Sequence, residues 1–120
     1  MAERYTTLTR GQLETTLNAG PPENDRREEG YALVNVLGHQ QYQQEHIPDS
    51  INIPGEQLDE FERHFDKEKK IVVYCASSEC QASSQTARAL KERGFQHVYD
   101  YEGGMSDWRE AGNPVEGAPD

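Results

Sequence analysis

One stretch constrains this chain more than any other: Ile71-Val72-Val73-Tyr74-Cys75-Ala76-Ser77-Ser78-Glu79-Cys80-Gln81-Ala82-Ser83-Ser84. It opens as a short apolar run without polar alternation, the pattern of a strand covered on both faces, and such strands belong to parallel sheets. It then passes through a small polar loop into a helix. Ala82, Thr86, Ala89, Leu90 and Arg93 recur at helical spacing, and Gly94 supplies the stop. His97-Val98-Tyr99-Asp100-Tyr101 follows as another strand. Strand, helix and strand in that order argue for an α/β sandwich.

The rest of the chain repeats the alternation. Tyr5-Thr6-Thr7 is β-prone. Thr9 and Gln12 have capping-box spacing, and Leu8 and Leu13 have that of a hydrophobic staple, which predicts a helix over 10–18. Gly20 suits its C-terminal cap, and Pro21-Pro22 block continuation. Residues 21–30 mix both charge signs without a pattern and read as a polar, solvated surface loop. Tyr31 to Leu37 is a buried-type strand. His39 to Glu45 forms a short helix, Ser50 to Ile53 a short strand, and Leu58, Phe61 and Phe65 mark a helix over about 56–65. After Gly103-Gly104, read as a flexible turn, a last short helix carries Trp108 as a packing anchor. The expected fold is a three-layer α/β/α sandwich around a mostly parallel sheet of about five strands.

A length of 120 residues fits a single domain, 1–120, with its core over about 5–117. Hydrophobic residues make up 33%, enough for one small core once glycine is added. The net charge of −10 argues against general affinity for nucleic acid or an anionic membrane. No apolar run reaches the ~18 residues of a membrane span. The first residues show no apolar signal region. Both cysteines fall in one stretch of an otherwise ordinary chain, which suggests a reducing cytoplasm rather than a disulfide scaffold.

In open α/β sheets, sites form at the carboxyl ends of the strands. Cys75 stands at such an end, just before a helix N-terminus whose amides and dipole favour an anion. That setting lowers a thiol pKa below its free value of about 8.5. Cys75 is therefore the candidate nucleophile, with Ala76, Ser77, Ser78, Glu79, Gln81 and Ala82 as the anion-binding loop. Arg88 and Lys91 sit too far along the helix to be ligands, Glu79 reads as solvent-facing, and His39, His46, His64 and His97 are scattered. Cys-x4-Cys without a nearby His is loose for zinc, so no metal is expected.

Three stretches together resemble the single-domain rhodaneses. Gly38 to Pro54, with His46-Ile47-Pro48-Asp49-Ser50-Ile51-Asn52-Ile53-Pro54 at its centre, is similar to a first signature, H-I-x-G-A-x-N-I-P. Ile71 to Leu90 is similar to the family's strand, active-site loop and helix. Tyr101 to Val115 is similar to a closing signature, L-x-G-G-x-x-x-W-x-x-A-G-x-P-V. The resemblance spans roughly 31–117 in family order. It implies a sulfurtransferase that uses neither metal nor organic cofactor. Cys75 would take the outer sulfur of a small donor, thiosulfate or a persulfide, hold it as a persulfide, and pass it to a thiol, cyanide or protein acceptor. The loop amides would stabilise the anionic sulfur.

The loop departs from the family pattern C-x-x-G-x-R-S. Ser78 replaces the Gly and Cys80 the Arg, and the segment from Cys75 to Gly94 is about two residues longer. Losing the Arg removes a fixed cation useful for thiosulfate. Asn35 and Leu37 replace the Asp and Arg of D-V-R. Cys80 is open to three readings: a resolving thiol that closes a disulfide with Cys75, the nucleophile itself in a shifted register, or a small filler. Phosphatases and arsenate reductases of this fold need C-x5-R to grip an oxyanion, and Gln81 stands at that position. A non-catalytic interaction or redox-sensing module using the Cys75/Cys80 pair is the alternative to catalysis.

Overall fold

Strands and helices alternate along the whole chain in the computed structural model, which describes residues 5–26 and 29–117. The elements are β1 (Thr6–Leu8), α1 (Arg10–Ala19), β2 (Tyr31–Asn35), α2 (His39–Gln44), β3 (Ile51–Asn52), α3 (Leu58–His64), β4 (Lys70–Tyr74), α4 (Ala82–Glu92), β5 (His97–Tyr101) and α5 (Gly104–Glu110). The strands form one five-stranded sheet in the order β1-β5-β4-β2-β3. Every pairing is parallel, so the sheet expected to be mostly parallel is wholly so.

β4 lies at the centre, with Ile71 opposite Val98 on β5 and Leu33 on β2 opposite Val72. Because side chains alternate along a strand, its run of apolar residues divides between two cores. Ile71, Val73 and Cys75 join Phe61, Phe65, Ala87 and Leu90 beneath α3 and α4. Val72 and Tyr74 join Leu13, Tyr101, Met105 and Trp108 beneath α1 and α5. This is the three-layer arrangement that the sequence pattern implied. Cys75 is thereby committed to the α4 side.

The capping box at Thr9 and Gln12 is present, with reciprocal bonds of 3.1 and 2.9 Å. Three local readings need correction. The α4 stripe is rotated from the expected one: its buried residues are Ser83, Thr86, Ala87 and Leu90, while Arg93 is exposed and paired with Asp59 at 2.8 Å. The small side chains of Ser83 and Ala87 let the helix approach β4 more closely than Arg93 would. The surface stretch 21–30 is more than solvated loop. Asn24 accepts the Leu33 amide at 2.9 Å and donates to the Asp49 carbonyl at 2.8 Å, and the buried Lys69 ammonium donates to the Glu29 carbonyl at 3.0 Å. The bond to Leu33 serves the part of β2 that the two-residue β3 leaves unpaired. Residues 27–28 of that stretch, and the N-terminal residues 1–4, lie outside the described residues.

The third correction concerns Gly103-Gly104. Gly104 is the first residue of α5, held at φ +70°, and a Cβ there would sit 2.6 Å from the Cys75 carbonyl oxygen. The glycine permits a close backbone joint rather than a flexible turn.

Candidate active site

The carboxyl end of β4 is fixed from the α5 side. The Met105 amide donates to the Cys75 carbonyl at 2.8 Å, and the Ser106 amide to the Ala76 carbonyl at 2.8 Å. These bonds use the open N-terminal amides of α5 and leave the first two residues of the loop no freedom. The remainder folds on itself. The Cys80 amide donates to the Ser77 carbonyl at 3.0 Å and the Glu79 amide to the Ser77 hydroxyl at 3.3 Å. Two of the amides expected to face an anion are thus turned onto Ser77, and the cradle over 76–82 is partly closed in this form.

A covalent bond accompanies this turn. Cys75 and Cys80 form a disulfide, with their Cα atoms 6.4 Å apart, inside the range that such a bridge spans. The two cysteines are a local pair within one loop, not a staple between distant elements. Cys75 is 1% exposed, while Cys80 is half-buried at the surface. Ala76, Ser78, Glu79 and Gln81 are exposed, and Ser77 and Ala82 half-buried. Glu79 points to solvent as anticipated.

The inner wall of the site escaped sequence reasoning. The Cys75 sulfur lies 3.4 Å from the Ser83 hydroxyl and 3.5 Å from the Cys80 carbonyl oxygen. Ser83 is 3% exposed and hydrogen-bonded to the carboxyl of Asp100, itself 1% exposed. Asp100 comes from β5, opposite Val73 of β4. Its Oδ1 has no partner among the described residues. Burial raises its pKa above the usual carboxylate range; the Ser83 hydrogen bond opposes that rise and the Glu102 charge adds to it. Hydroxyl and carboxyl therefore stand in succession behind the Cys75 sulfur. The sequence offered only an acidic residue inside a predicted strand, a placement that becomes costly once the strand is buried.

Next to the loop is an open cleft of about 590 Å³, lined in part by Leu37, Gln41, Ala76, Ser77, Met105 and Arg109. Arg109 is ion-paired with Glu45, so it offers this cleft no free positive charge. Lys91 donates to the Gln96 carbonyl at 2.9 Å, and Arg88 is exposed on α4. His46 stacks on Tyr42 with ring centroids 3.9 Å apart and serves structure. Trp108 is buried with its indole N–H on the Pro114 carbonyl at 2.8 Å. Among the described residues, no group of three or more His, Cys, Asp and Glu is placed to hold a metal ion.

Comparison with known proteins decides the family. The family model "Rhodanese-like domain" matches residues 21–111. This chain belongs to the rhodanese-like domain family. It is 39% identical over 92 residues to the thiosulfate sulfurtransferase GlpE of Pseudomonas syringae, covering 74% of this chain and 84% of that one. It is 40% identical over 96 residues to the HTH-type transcriptional regulator Rv0324 of Mycobacterium tuberculosis, covering 78% of this chain and only 42% of the regulator. The solution structure of the rhodanese-like domain of Anabaena Alr3790 superimposes with a TM-score of 0.80 at 27% identity, covering 96% of this chain and 81% of that one. The crystal structure of the Bacillus halodurans protein BH2092 gives 0.79 at 29% identity, covering 94% and 77%. The relatives therefore include both a sulfurtransferase and a regulator that carries such a domain within a longer chain.

Proposed function

We propose that the chain is a sulfurtransferase in which the Cys75 thiolate takes a sulfane sulfur from a small donor. It holds that sulfur as a persulfide and passes it to a thiol, cyanide or protein acceptor. The observation that carries this reading is the placement of Cys75. It sits at the carboxyl end of the central strand, fixed by α5 at its carbonyl and facing the N-terminal turn of α4 through Ser83. Likeness to a thiosulfate sulfurtransferase along most of both chains supports the reaction class.

Reduction is the first step, because the disulfide occupies the nucleophile. Once Cys80 is released, the loop can turn its amides toward Cys75, and the helix N-terminus favours the anionic thiolate and persulfide. The reacting bond lies between the donor's sulfane sulfur and its leaving group. Cys75 attacks that sulfur, and a thiosulfate donor would leave as sulfite. With no arginine in the loop and Arg109 already paired, a doubly charged donor gains little here. An organic persulfide suits the site better than thiosulfate.

A cytoplasmic location forms part of this reading; among the described residues, no helix is long and apolar enough to cross a membrane. The test is intact mass. Reduced protein incubated with a cysteine persulfide, or with thiosulfate, should gain one sulfur atom, and Cys75→Ser should abolish the gain. Uptake that persists in Cys75→Ser, or its absence with both donors, would sink the proposal. The disulfide itself favours a second reading, a redox-sensing interaction domain. In that case oxidation changes partner binding and no sulfur is taken up.

A further inference from the structure

Cys80 occupies a position in which it can do more than close the loop. Its sulfur is bonded to Cys75, so the loop already brings Cys80 onto the inner sulfur of any persulfide formed there. The two sulfurs also differ in access. Cys75 is 1% exposed and backed by the Ser83 hydroxyl at 3.4 Å, whereas Cys80 is half-buried at the surface.

We propose that the chain reduces sulfane sulfur to hydrosulfide, with Cys80 as the resolving nucleophile. The proposal rests on the Cys75 persulfide put forward above and names its fate. The Cys80 thiolate attacks the Cys75 sulfur. A bond forms between the two cysteine sulfurs, and the bond from Cys75 to the outer sulfur breaks. The outer sulfur leaves with the electron pair as hydrosulfide, carrying the persulfide proton. The sulfane sulfur has gained two electrons and the cysteine pair has lost two. The product is the disulfide seen in the structure.

An external dithiol completes the cycle. Its thiolate attacks the accessible sulfur, that of Cys80, and Cys75 departs as the thiolate. Attack follows access, and the better-stabilised thiolate makes the better leaving group. The open amides and dipole at the start of α4 favour the Cys75 thiolate, which faces that turn beside Ser83. The dithiol's second thiol then displaces Cys80 and leaves as a cyclic disulfide. The sum is sulfane sulfur and dithiol in, hydrosulfide and disulfide out. The substrate class is a persulfide donor paired with a dithiol reductant.

The turn at Ser77, with its carbonyl on the Cys80 amide at 3.0 Å, folds Cys80 back over Cys75.

The test uses the whole chain, reduced and freed of reductant, then given one equivalent of cysteine persulfide. Wild type should release about one hydrosulfide per chain beyond the background of donor alone. Its intact mass should end two hydrogens below that of the reduced chain. Cys80→Ser should take up one sulfur and hold it longer than wild type against the one equivalent of cysteine that the donor leaves, then release hydrosulfide when excess thiol is added. Cys80→Ala, a second variant, should behave the same, and a thermal melt establishes that each is folded. Wild type that gains sulfur and retains it, with Cys80 still alkylatable, overturns the resolving role while leaving the sulfurtransferase reading intact. Failure of wild type and both variants to take up sulfur overturns both.

Discussion

The active-site loop has two halves held in different ways. The first half, Cys75 and Ala76, is fixed by another element: two α5 amides grip its carbonyls and Gly104 lies against its backbone. The second half, Ser77 to Gln81, is held by its own turn and by the disulfide. Nothing from the sheet or from α5 bonds its backbone among the described residues. The proposed two-thiol cycle has two matching needs: a nucleophile that keeps its place against the sheet, and a partner thiol that can swing toward it and away.

The comparison can be broken most directly at Gly104. A methyl group there meets the Cys75 carbonyl at 2.6 Å and forces a side chain into φ +70°. Gly104→Ala should destabilise the protein by roughly 3–4 kcal/mol, combining left-handed strain with a backbone clash. Denaturant unfolding of the reduced protein measures this, and any uptake of sulfur should fall with it. A change below ~1 kcal/mol would mean that the first half is not rigidly held.

Cys80→Ser tests the other half. A cross-link closing so short a loop contributes ~2 kcal/mol on the chain-entropy account. Oxidised wild type should therefore be more stable than reduced wild type by about that much, and the variant should match the reduced form with or without reductant. Equal unfolding midpoints for wild type in both redox states would show that the second half is held by something besides the bridge.

Asp100 probes the wall that both halves share. Its pKa is raised in the folded state by burial, so the folded protein holds this proton up to a higher pH than the unfolded chain. Stability should accordingly fall as pH rises from the ordinary carboxylate value through the raised one, and remain lower above it. Asp100→Asn should remove that slope, so the variant gains on wild type as pH rises from about 4 to about 8. In the Cys80→Ser background the same change should let Cys75 ionise at lower pH, because a negative charge behind Ser83 is gone. The pH dependence of iodoacetamide alkylation reads this shift, and coincident profiles with and without Asp100→Asn would exclude the line through Ser83.

The smallest effect is expected at Asp49, the other left-handed position of interest. Asp49 has φ +70° without the crowding found at Gly104, and the resemblance puts glycine there. Asp49→Gly should stabilise by ~0.5 kcal/mol, since relief of strain is offset by added freedom in the unfolded chain. A thermal melt is sufficient. Destabilisation would point to a role for the Asp49 carboxylate.

Much of the fold was legible because the signals are local. The Thr9 and Gln12 capping box, the apolar run ending at Tyr74 and the helical spacing of Phe61 and Phe65 each depend on near neighbours in sequence. Cys75 was legible for the same reason, since a strand end and a helix start flank it directly. Ser83 and Asp100 were not. A serine in the first turn of a helix reads as ordinary, and an acid in a strand reads as an exposed position. Only the pairing of β5 beside β4 puts Asp100 behind Ser83. Gly104 was seen but misread, because its neighbour is the backbone of a residue far back in the chain.

The sequence alone determined the alternation of elements, the parallel sandwich and the resemblance, and singled out Cys75 as the candidate nucleophile, all written in short-range periodicity and motif spacing. It left Cys80 open among three roles. The tertiary structure paired it with Cys75, turned Cys75 inward toward α4, and set Ser83 and Asp100 behind it. Those outcomes depend on how far α4 can approach β4 and on which strand lies beside it. Such distances arise only when the sheet is assembled, because packing across layers joins residues that no local pattern connects.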